Sequence, residues 1–302
     1  MKLAIVTCVN EDWLAPACVT LLSAARNLST AKAQLLIVVD QLSTHGRRDV
    51  AEFEKRHAIK INLHVHQPQG FAGLDPHRYT SATFLRLCLP EIIAPDYHRV
   101  LYLDSDVLAL ADIAPLLQSD LKGQPLGAVP EVKMAPGRGL LTDWHRRKLG
   151  IGSNADYFNA GVLLFDWQKT LKMQMLDKAR TLLLSGRDFE FLDQDALNLA
   201  YKNQWHALPL KWNIEQSAAC YLNLAPALRH FNHAAKPWDW PQIMAYAPHH
   251  QTYVDALEGL ALQRFMQKPK HGSPVLASIE YHFRKASLHQ RNFLRRKYTK
   301  LL

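Results

Sequence analysis

Apolar residues in the first hundred positions form short runs separated by amphipathic stretches. The run at 35–39 is continuously apolar, 3–9 is apolar except for Thr7, and 59–65 alternates, so all three are predicted to be strands. The stretch 13–27 carries its apolar residues at helical spacing, and 45–57 is polar and helical in pattern. Strands separated by helices are typical of βαβ units. The pattern therefore predicts an α/β fold with a mostly parallel central sheet flanked by helices.

The rest of the chain continues this alternation in a single large domain. Loops are expected at 67–78 and 130–140, which contain Gly and Pro. We place the only domain boundary at His271–Pro274, so that 1–272 is the domain and 273–302 a basic helical tail. Further helices are predicted at 80–93, 167–185 and 193–203, and further strands at 101–104, 157–165, 205–212 and 228–231.

Composition narrows the class of protein. The 302 residues are 48% hydrophobic and 21% charged, as in ordinary globular proteins. The four cysteines form no Cys-x-x-Cys pair, which disfavours zinc sites and disulfides and fits a reducing cytosol. The apolar start ends at Asn10-Glu11-Asp12, too early for a signal peptide, and no run approaches the length of a membrane span. We therefore expect a cytoplasmic protein.

The net charge of +9 is concentrated at the end of the chain. Residues 279–302 contain seven basic residues and one acidic residue, with apolar residues between them. If this tail is helical, basic residues flank an apolar face, a pattern typical of an interfacial anchor, and we expect peripheral association with the inner membrane. The alternative is a helix packed back on the domain. The body lacks a basic stripe, so no nucleic-acid partner is expected.

The strongest chemical signal is Leu101-Tyr-Leu-Asp-Ser-Asp106, an apolar strand that ends in two carboxylates. Side chains at i and i+2 of an extended segment point the same way, so Asp104 and Asp106 can converge on one divalent cation. Such an ion would neutralise a diphosphate leaving group. The alternative is a solvated turn, and in either case we expect removal of one carboxylate to cost little stability.

Four segments in this order resemble family 8 of the retaining glycosyltransferases, particularly bacterial enzymes that build the outer sugars of lipopolysaccharide. The resemblance implies a GT-A fold and transfer of galactose or glucose from UDP-galactose or UDP-glucose to a saccharide acceptor, possibly lipid-linked, with retention of configuration. The segments are Leu101–Val107, Tyr157–Val162, Asp193–Asn198 and His230–Trp238.

The resemblance also implies a metal site. Asp104, Asp106 and His230 match the family's three protein ligands, and the implied ion is Mn²⁺, with Mg²⁺ as the alternative. Lys236 matches a lysine at the β-phosphate. A lone histidine on a strand is otherwise most often a core residue.

Further residues match donor-binding and catalytic positions of the family. Asp193 and Gln194 match polar groups around the anomeric carbon, although Asp193 also fits a helix N-cap. Glu131 is a weaker match to an acidic position near the acceptor. Arg86 could alternatively form a structural ion pair. The implied donor-binding residues are Asn10, Arg86, Asp104, Ser105, Asn159, Ala160, Gly161, His233 and Lys236.

Two residues depart from the family pattern, and the acceptor region matches little. Cys8 stands where an acidic residue usually faces the uracil, and His233 replaces a glycine. The segments 67–79 and 130–150 match little beyond Glu131, so the acceptor cannot be inherited from the resemblance.

Three other functions compete with this interpretation. A nucleotidyltransferase would need a glycine-rich basic loop after the first strand, and residues 10–13 contain no glycine. A GT-A enzyme with a different nucleotide-sugar donor remains open. So does a non-enzymatic membrane- or anion-binding protein that depends on the tail.

Overall fold

The computed structural model describes residues 1–29, 32–71, 81–136, 140–152, 154–215, 224–232, 236–239, 247–267 and 288–301. His233 and parts of the two predicted loops, 72–80 and 137–139, lie outside the described residues.

The first third of the chain is the predicted series of βαβ units. Strands β1 (Leu3–Val9), β2 (Gln34–Val39) and β3 (Ile61–Val65) alternate with helices α1 (Leu14–Arg26) and α2 (Thr44–His57). Each neighbouring pair of these strands is parallel. The carboxyl ends of β1 and β2 therefore meet at one edge of the sheet.

The central sheet has seven strands in the order β3-β2-β1-β4-β7-β6-β8. Strand β7 is antiparallel to β4 and β6, whereas every other neighbouring pair is parallel. Strands β5 and β9 form a separate antiparallel pair. The predicted mostly parallel sheet is confirmed. The remaining strands are β4 (Arg99–Leu103), β5 (Val107–Ala109), β6 (Leu126–Pro130), β7 (Phe158–Asp166), β8 (Trp205–Ala207) and β9 (Leu228–His230).

Helices cover both faces of the sheet. The later α-helices are α3 (Leu89–Ile92), α4 (Ala114–Leu117), α5 (Leu140–Leu149), α6 (Trp167–Lys172), α7 (Met175–Leu183), α8 (Leu192–Ala200), α9 (Ala247–Leu257) and α10 (Leu288–Lys297). Short 3₁₀ helices occupy Glu11–Trp13, Ser81–Cys88, Val132–Met134, Leu210–Asn213, Ala261–Gln267 and Thr299–Leu301.

Two predicted helices are wrong in detail. The segment 80–93 is a 3₁₀ helix followed by α3, and a continuous α-helix would bring the Pro90 ring against the carbonyl of Arg86. The predicted helix 167–185 is divided into α6 and α7 at Gln174, whose φ of 50° lies in the left-handed region.

Alternate side chains of β1 enter two apolar clusters, one on each face of the sheet. Leu3, Ile5 and Val9 belong to the first cluster, and Val6 and Cys8 to the second. This two-sided burial explains why β1 is apolar at every position except Thr7.

The described part of the tail packs on the domain. Leu294 of α10 and the following Tyr298 are buried in the first cluster. Leu294 is one of the apolar residues of the predicted tail helix, and because its side chain is already covered it does not belong to an exposed membrane-binding face. The boundary near 272 stays a prediction, since 268–287 lie outside the described residues. Among the helices that are described, none is both long and apolar enough to cross a membrane.

Candidate functional site

Backbone pairing brings the two strand-end aspartates and His230 together. The Asp104 amide donates to the carbonyl of Gly161 on β7 at 2.8 Å. Val107, which directly follows Asp106, is the register partner of His230 in the β5–β9 pair. The carboxylates and the imidazole therefore converge although more than a hundred residues separate them in the sequence.

The three side chains form a compact set of possible metal ligands. One ligand atom from each of Asp104, Asp106 and His230 lies within 4.8 Å of the others. His230 Nε2 is 3.2 Å from Asp106 Oδ1 and 3.6 Å from Asp104 Oδ2. Two carboxylates and one imidazole suit Mn²⁺, so the residues fit the implied ion.

Two cations flank this triad. Lys236 Nζ lies 2.6 Å from Asp106 Oδ2, and Arg86 Nη2 lies 3.1 Å from Asp104 Oδ1. Burial alone would raise the pKa of Asp106, but the Lys236 ammonium and the His230 imidazole lower it far below its usual range. Asp106 is therefore an ionised carboxylate over the whole physiological pH range.

Arg86 is buried and contacts several residues of the site at once. It pairs with Asp104 and, 2.9 Å from Nε, with Asp193, and its Nη1 donates to the carbonyl of Ala160 at 2.8 Å. The guanidinium lies 4.5 Å from the ring centroid of Tyr102, whose hydroxyl donates to Asp104 Oδ1 at 2.7 Å. The ion-pair alternative for Arg86 is thus part of the structure, and its contact with a donor stays a prediction.

Asp193 lies at the start of α8 but does not cap it. The helix begins at Leu192, and Asp195 Oδ2 instead accepts from the amide of Phe191 at 2.9 Å, so the N-cap interpretation is wrong. Burial, opposed by Arg86, raises the pKa of Asp193 to about 6. Asp193 Oδ2 is ion-paired with Arg86 Nε, but it accepts no aligned hydrogen bond from the described residues, because that N–H donates to the carbonyl of Thr83. This buried oxygen can accept from a further group.

Gln194 is fixed against β7 by the backbone of Ala160. The Ala160 amide donates to Gln194 Oε1 at 2.8 Å, while the Ala160 carbonyl accepts from Arg86. The predicted catalytic pair and the predicted donor-binding strand are therefore directly connected.

Asn159 and Gly161 of β7 lie directly beside the His230 imidazole and its hydrogen-bond partners. Asn159 is 5% exposed, and its amide bonds Glu131, Asn213 and the backbone of Gly161. A Cβ at Gly161 would lie 2.2 Å from His230 Cε1, so only glycine lets the imidazole sit there. Donor binding by Asn159 and Gly161 stays a prediction.

A buried pair of carboxyl groups lies at the far end of Asn159. Glu131 and Glu215 are 6% and 1% exposed, and their side chains share a hydrogen bond. Burial, reinforced by the charge of Glu131, raises the pKa of Glu215 to about 8. The pair therefore holds one proton at neutral pH, and the direction of the shift favours Glu215 as its carrier.

The other predicted residues lie outside this cluster. Asn10 lines a cavity of about 450 Å³ with Asp40 and Gln41 at the ends of β1 and β2, and no residue of the metal triad lines it. The carbonyl of Ser105 accepts from the Thr20 hydroxyl at 2.9 Å. Burial raises the pKa of the Cys8 thiol, so a neutral thiol replaces the family's acidic group.

The sequence did not point to Tyr102, Asn213 or Glu215. Tyr102 had a usable signal, because it lies two residues before Asp104 and shares its face of the strand. Asn213 and Glu215 are likewise two residues apart, on either side of Ile214. Nothing in the sequence, however, connected that segment to the site.

A second ligand cluster, His66, Cys88 and Glu91, makes a weaker metal site. Arg180 and His66 already pair with Glu91. Burial also raises the pKa of the Cys88 thiol to about 11, which disfavours the thiolate that a metal requires.

Comparison with known proteins decides the family. The model of "Glycosyl transferase family 8" matches residues 4–240. The chain belongs to glycosyl transferase family 8. Its fold is the GT-A fold, and the coarse activity that the family supports is glycosyl transfer.

Individual relatives are similar to most of the chain. The solved galactosyltransferase LgtC, in complex with donor and acceptor sugar analogs, has a TM-score of 0.72 and 25% identity, covering 85% of this chain and 96% of LgtC. Lipopolysaccharide 1,2-glucosyltransferase of Escherichia coli K12 is 23% identical, covering 79% of this chain and 74% of the relative. General stress protein A of Bacillus subtilis is also 23% identical, covering 78% and 87%.

Proposed function

We propose that this protein is a metal-dependent, retaining hexosyltransferase that transfers galactose or glucose from a UDP-sugar to a saccharide acceptor of lipopolysaccharide or another surface glycan. The observation that carries the proposal is the convergence of Asp104, Asp106 and His230 within 4.8 Å, flanked by Arg86 and Lys236. The names of the lipopolysaccharide glucosyltransferase and of LgtC support the substrate class.

The proposed division of roles follows the charges. Asp104, Asp106 and His230 would hold a Mn²⁺ or Mg²⁺ ion, which when bound neutralises the leaving diphosphate. Lys236 would bind the β-phosphate with its ammonium group. Asp193, whose Oδ2 accepts no aligned hydrogen bond from the described residues, would accept from a sugar hydroxyl while Arg86 holds its position. Gln194 would lie beside the anomeric carbon, oriented by its bond to Ala160.

Because of Cys8, donors with a nucleobase other than uracil also fit this proposal. A buried neutral thiol cannot replace a carboxylate that accepts from a nucleobase. The competing function is therefore a GT-A transferase with another nucleotide-sugar donor.

The deciding experiment is a donor panel with and without Mn²⁺. We expect UDP-galactose or UDP-glucose to be consumed only with metal, and the product with a saccharide acceptor to keep the α configuration by proton NMR. His230→Gln should lose metal-dependent turnover, whereas His206→Gln serves as a control outside the triad. A β-linked product, or full turnover with metal removed by a chelator, would contradict the proposal.

We also propose that the protein works at an anionic membrane surface, and that α5 supplies the apolar contact. Leu140, Leu141 and Trp144 of α5 are 85%, 83% and 52% exposed, and an exposed apolar patch typically marks a docking site. The end of α10 lies near α5, because Tyr298, directly after α10, interacts electrostatically with Arg146 of α5, and Lys297 pairs at 3.5 Å with Asp156, which follows α5 in the chain.

Exposed residues at the end of α5 and at the end of α10 are positively charged, which matches an anionic lipid surface. Arg147 and Lys148 are exposed on the last turn of α5, and Arg295, Arg296 and Lys300 are exposed on or just after α10. Each such side chain near an anionic leaflet contributes about 1 kcal/mol. The cytoplasmic, peripheral location predicted from the tail is therefore proposed with α5, and not Leu294, as the inserted element.

A further inference from the structure

A series of hydrogen bonds connects β7 to His230 through the side chains of Asn159 and Asn213, and in each bond the donor and the acceptor can be assigned. The backbone N–H of Gly161 donates to Asn159 Oδ1 at 2.9 Å, and a backbone amide can only donate. The other end of the same side chain, Nδ2, lies 2.8 Å from Glu131 Oε2 and donates to it. Both contacts fix the orientation of the Asn159 amide, with its oxygen toward Gly161.

That orientation determines the orientation of the next amide. Asn213 lies 2.8 Å from Asn159 Oδ1, and only its Nδ2 can donate to that oxygen. The Asn213 oxygen is therefore turned to the other side, where it lies 3.0 Å from His230 Nδ1. Because this oxygen only accepts, Nδ1 of the imidazole must carry a hydrogen.

The backbone holds the two partners in register. The amide of His230 donates to the carbonyl of Ile214, the residue after Asn213, at 3.1 Å. Asn213 and His230 are each 2% exposed, so water does not compete for the bond between them. Because Gly161 has no side chain, the His230 ring can lie directly against β7, where this series of hydrogen bonds begins.

We infer that Asn213 is a positioning residue for the metal site: it fixes His230 with a hydrogen on Nδ1, so that Nε2, which faces Asp104 and Asp106, is the nitrogen left to bind a metal ion. This inference rests on the proposed function, because it assigns His230 Nε2 as a ligand. A partner on the far nitrogen of a ligand histidine sets the tautomer and ring orientation, and its loss costs about 10- to 100-fold in metal affinity.

The variants to compare are Asn213→Leu, which removes the acceptor at similar volume, and Asn213→Asp, which keeps an oxygen toward Nδ1. Asn198→Leu is the matched control: Asn198 is 3% exposed and bonds the backbone of Phe158 and Gln194, with no described bond to His230. Both leucine variants should lose stability in urea unfolding, since each removes a buried amide network.

Mn²⁺ titration in the presence of UDP separates the positioning role from a structural one. We expect Asn213→Leu to bind Mn²⁺ about 10- to 100-fold more weakly, Asn213→Asp to recover much of that loss, and Asn198→Leu to bind as the wild type does. UDP binding without metal should be equal in all four proteins. Unchanged Mn²⁺ affinity in folded Asn213→Leu, or an equal loss in Asn198→Leu, would overturn the inference.

The hydrogen on Nδ1 can be detected without any metal. In ¹⁵N-histidine-labelled protein, the nitrogen shifts and two-bond couplings should show a hydrogen on Nδ1 of the wild-type His230 ring, whether or not Nε2 also carries one toward Asp106, with assignment by His230→Gln. A wild-type ring whose Nδ1 carries no hydrogen would overturn the inference. If the wild type bound no Mn²⁺, the proposed function would fail, and this measurement would still decide the role of Asn213.

Discussion

At the scale of single residues, the two strand-end aspartates differ in what they do for stability. Asp106 is paired at 2.6 Å with Lys236, which is itself only 9% exposed, whereas the side chain of Asp104 is 27% exposed. Removing Asp106 leaves a buried ammonium without its carboxylate, which typically costs about 3–5 kcal/mol. The sequence-based expectation that either carboxylate is cheap to remove fits Asp104 better than Asp106.

The first prediction is that Asp106→Ala lowers both the unfolding free energy and the turnover, and that the two losses can be separated. Adding Lys236→Met should restore most of the stability in urea unfolding, because the unpaired charge is removed. Turnover should stay at least about a hundredfold below wild type, since the proposed metal ligand is still missing. Recovery of turnover in the double variant would show that Asp106 is structural.

The second prediction concerns pH and the Glu131–Glu215 pair. Glu215 keeps its proton in the folded protein up to a pKa of about 8, whereas the unfolded residue loses it near 4.5. The stability that this bound proton contributes is complete below about pH 4.5 and is lost as the pH rises through about 8. Glu215→Gln mimics the protonated residue. In urea unfolding at a series of pH values, the variant should therefore lack this component of the alkaline decline.

Comparison with Glu131→Gln identifies which carboxyl group holds the proton. Each carboxyl group accepts two further hydrogen bonds, Glu131 from Asn159 and the amide of Lys133, and Glu215 from Asn232 and the amide of Val132, so overall stability does not separate the variants. The pH dependence does: Glu131→Gln removes the charge that reinforces the shift of Glu215 and should move the alkaline decline to lower pH. If Glu131→Gln, and not Glu215→Gln, removed this component altogether, the proton would be on Glu131.

How far the sequence could predict the site depends on where each residue lies. Asp104 and Asp106 end a recognisable apolar strand, and His230 lies in a motif with Lys236. Asn213 lies 17 residues before His230, and its bond depends on how that segment pairs with β9. Tertiary pairing of this kind leaves no periodic trace in the sequence.

At the scale of elements, seven of the nine described strands were predicted, whereas β5 and β6 were missed. Val6 and Ile5 point into opposite clusters, so β1 is buried on both faces and is apolar at every position except Thr7. The helix predicted over 80–93 failed because Pro90 removes an amide and excludes an α-helical turn before it. The sequence could not decide between the two interpretations of the tail, because an apolar helical face fits a core and a membrane equally well; the burial of Leu294 and Tyr298 favours packing for that part of it.

The third prediction tests the packing of α10. Leu294 is 0% exposed, and truncation of a buried leucine typically costs about 2–5 kcal/mol. Leu294→Ala should lower the unfolding free energy by that amount. Leu141→Ala on α5 is the control: this leucine is 83% exposed, so we expect a change within about 0.5 kcal/mol. Equal stability of the two variants would return α10 to the role of a separate anchor.

At the scale of the whole molecule, the distribution of charge and exposed apolar surface gives the last prediction. The net charge of +9 and the basic residues of α10 attract anionic lipid over a distance that salt screens, whereas insertion of apolar side chains is independent of salt. Arg295→Gln/Arg296→Gln/Lys300→Gln should therefore remove the salt-sensitive part of binding to anionic vesicles. Leu140→Ser/Leu141→Ser/Trp144→Ser should remove the salt-resistant part.

Co-sedimentation of the full chain with vesicles rich in anionic phospholipid, from about 0.05 to 0.5 M salt, measures both parts. Val65→Ser, at an exposed apolar residue on β3, the edge strand of the central sheet, should bind as the wild type does. Turnover on a short soluble acceptor should be unchanged in all three variants, because none alters the metal triad or its flanking cations. A triple serine variant that keeps full binding at high salt would remove α5 from the membrane face. Loss of soluble turnover in that variant, with its fold intact, would instead make the patch part of the acceptor site.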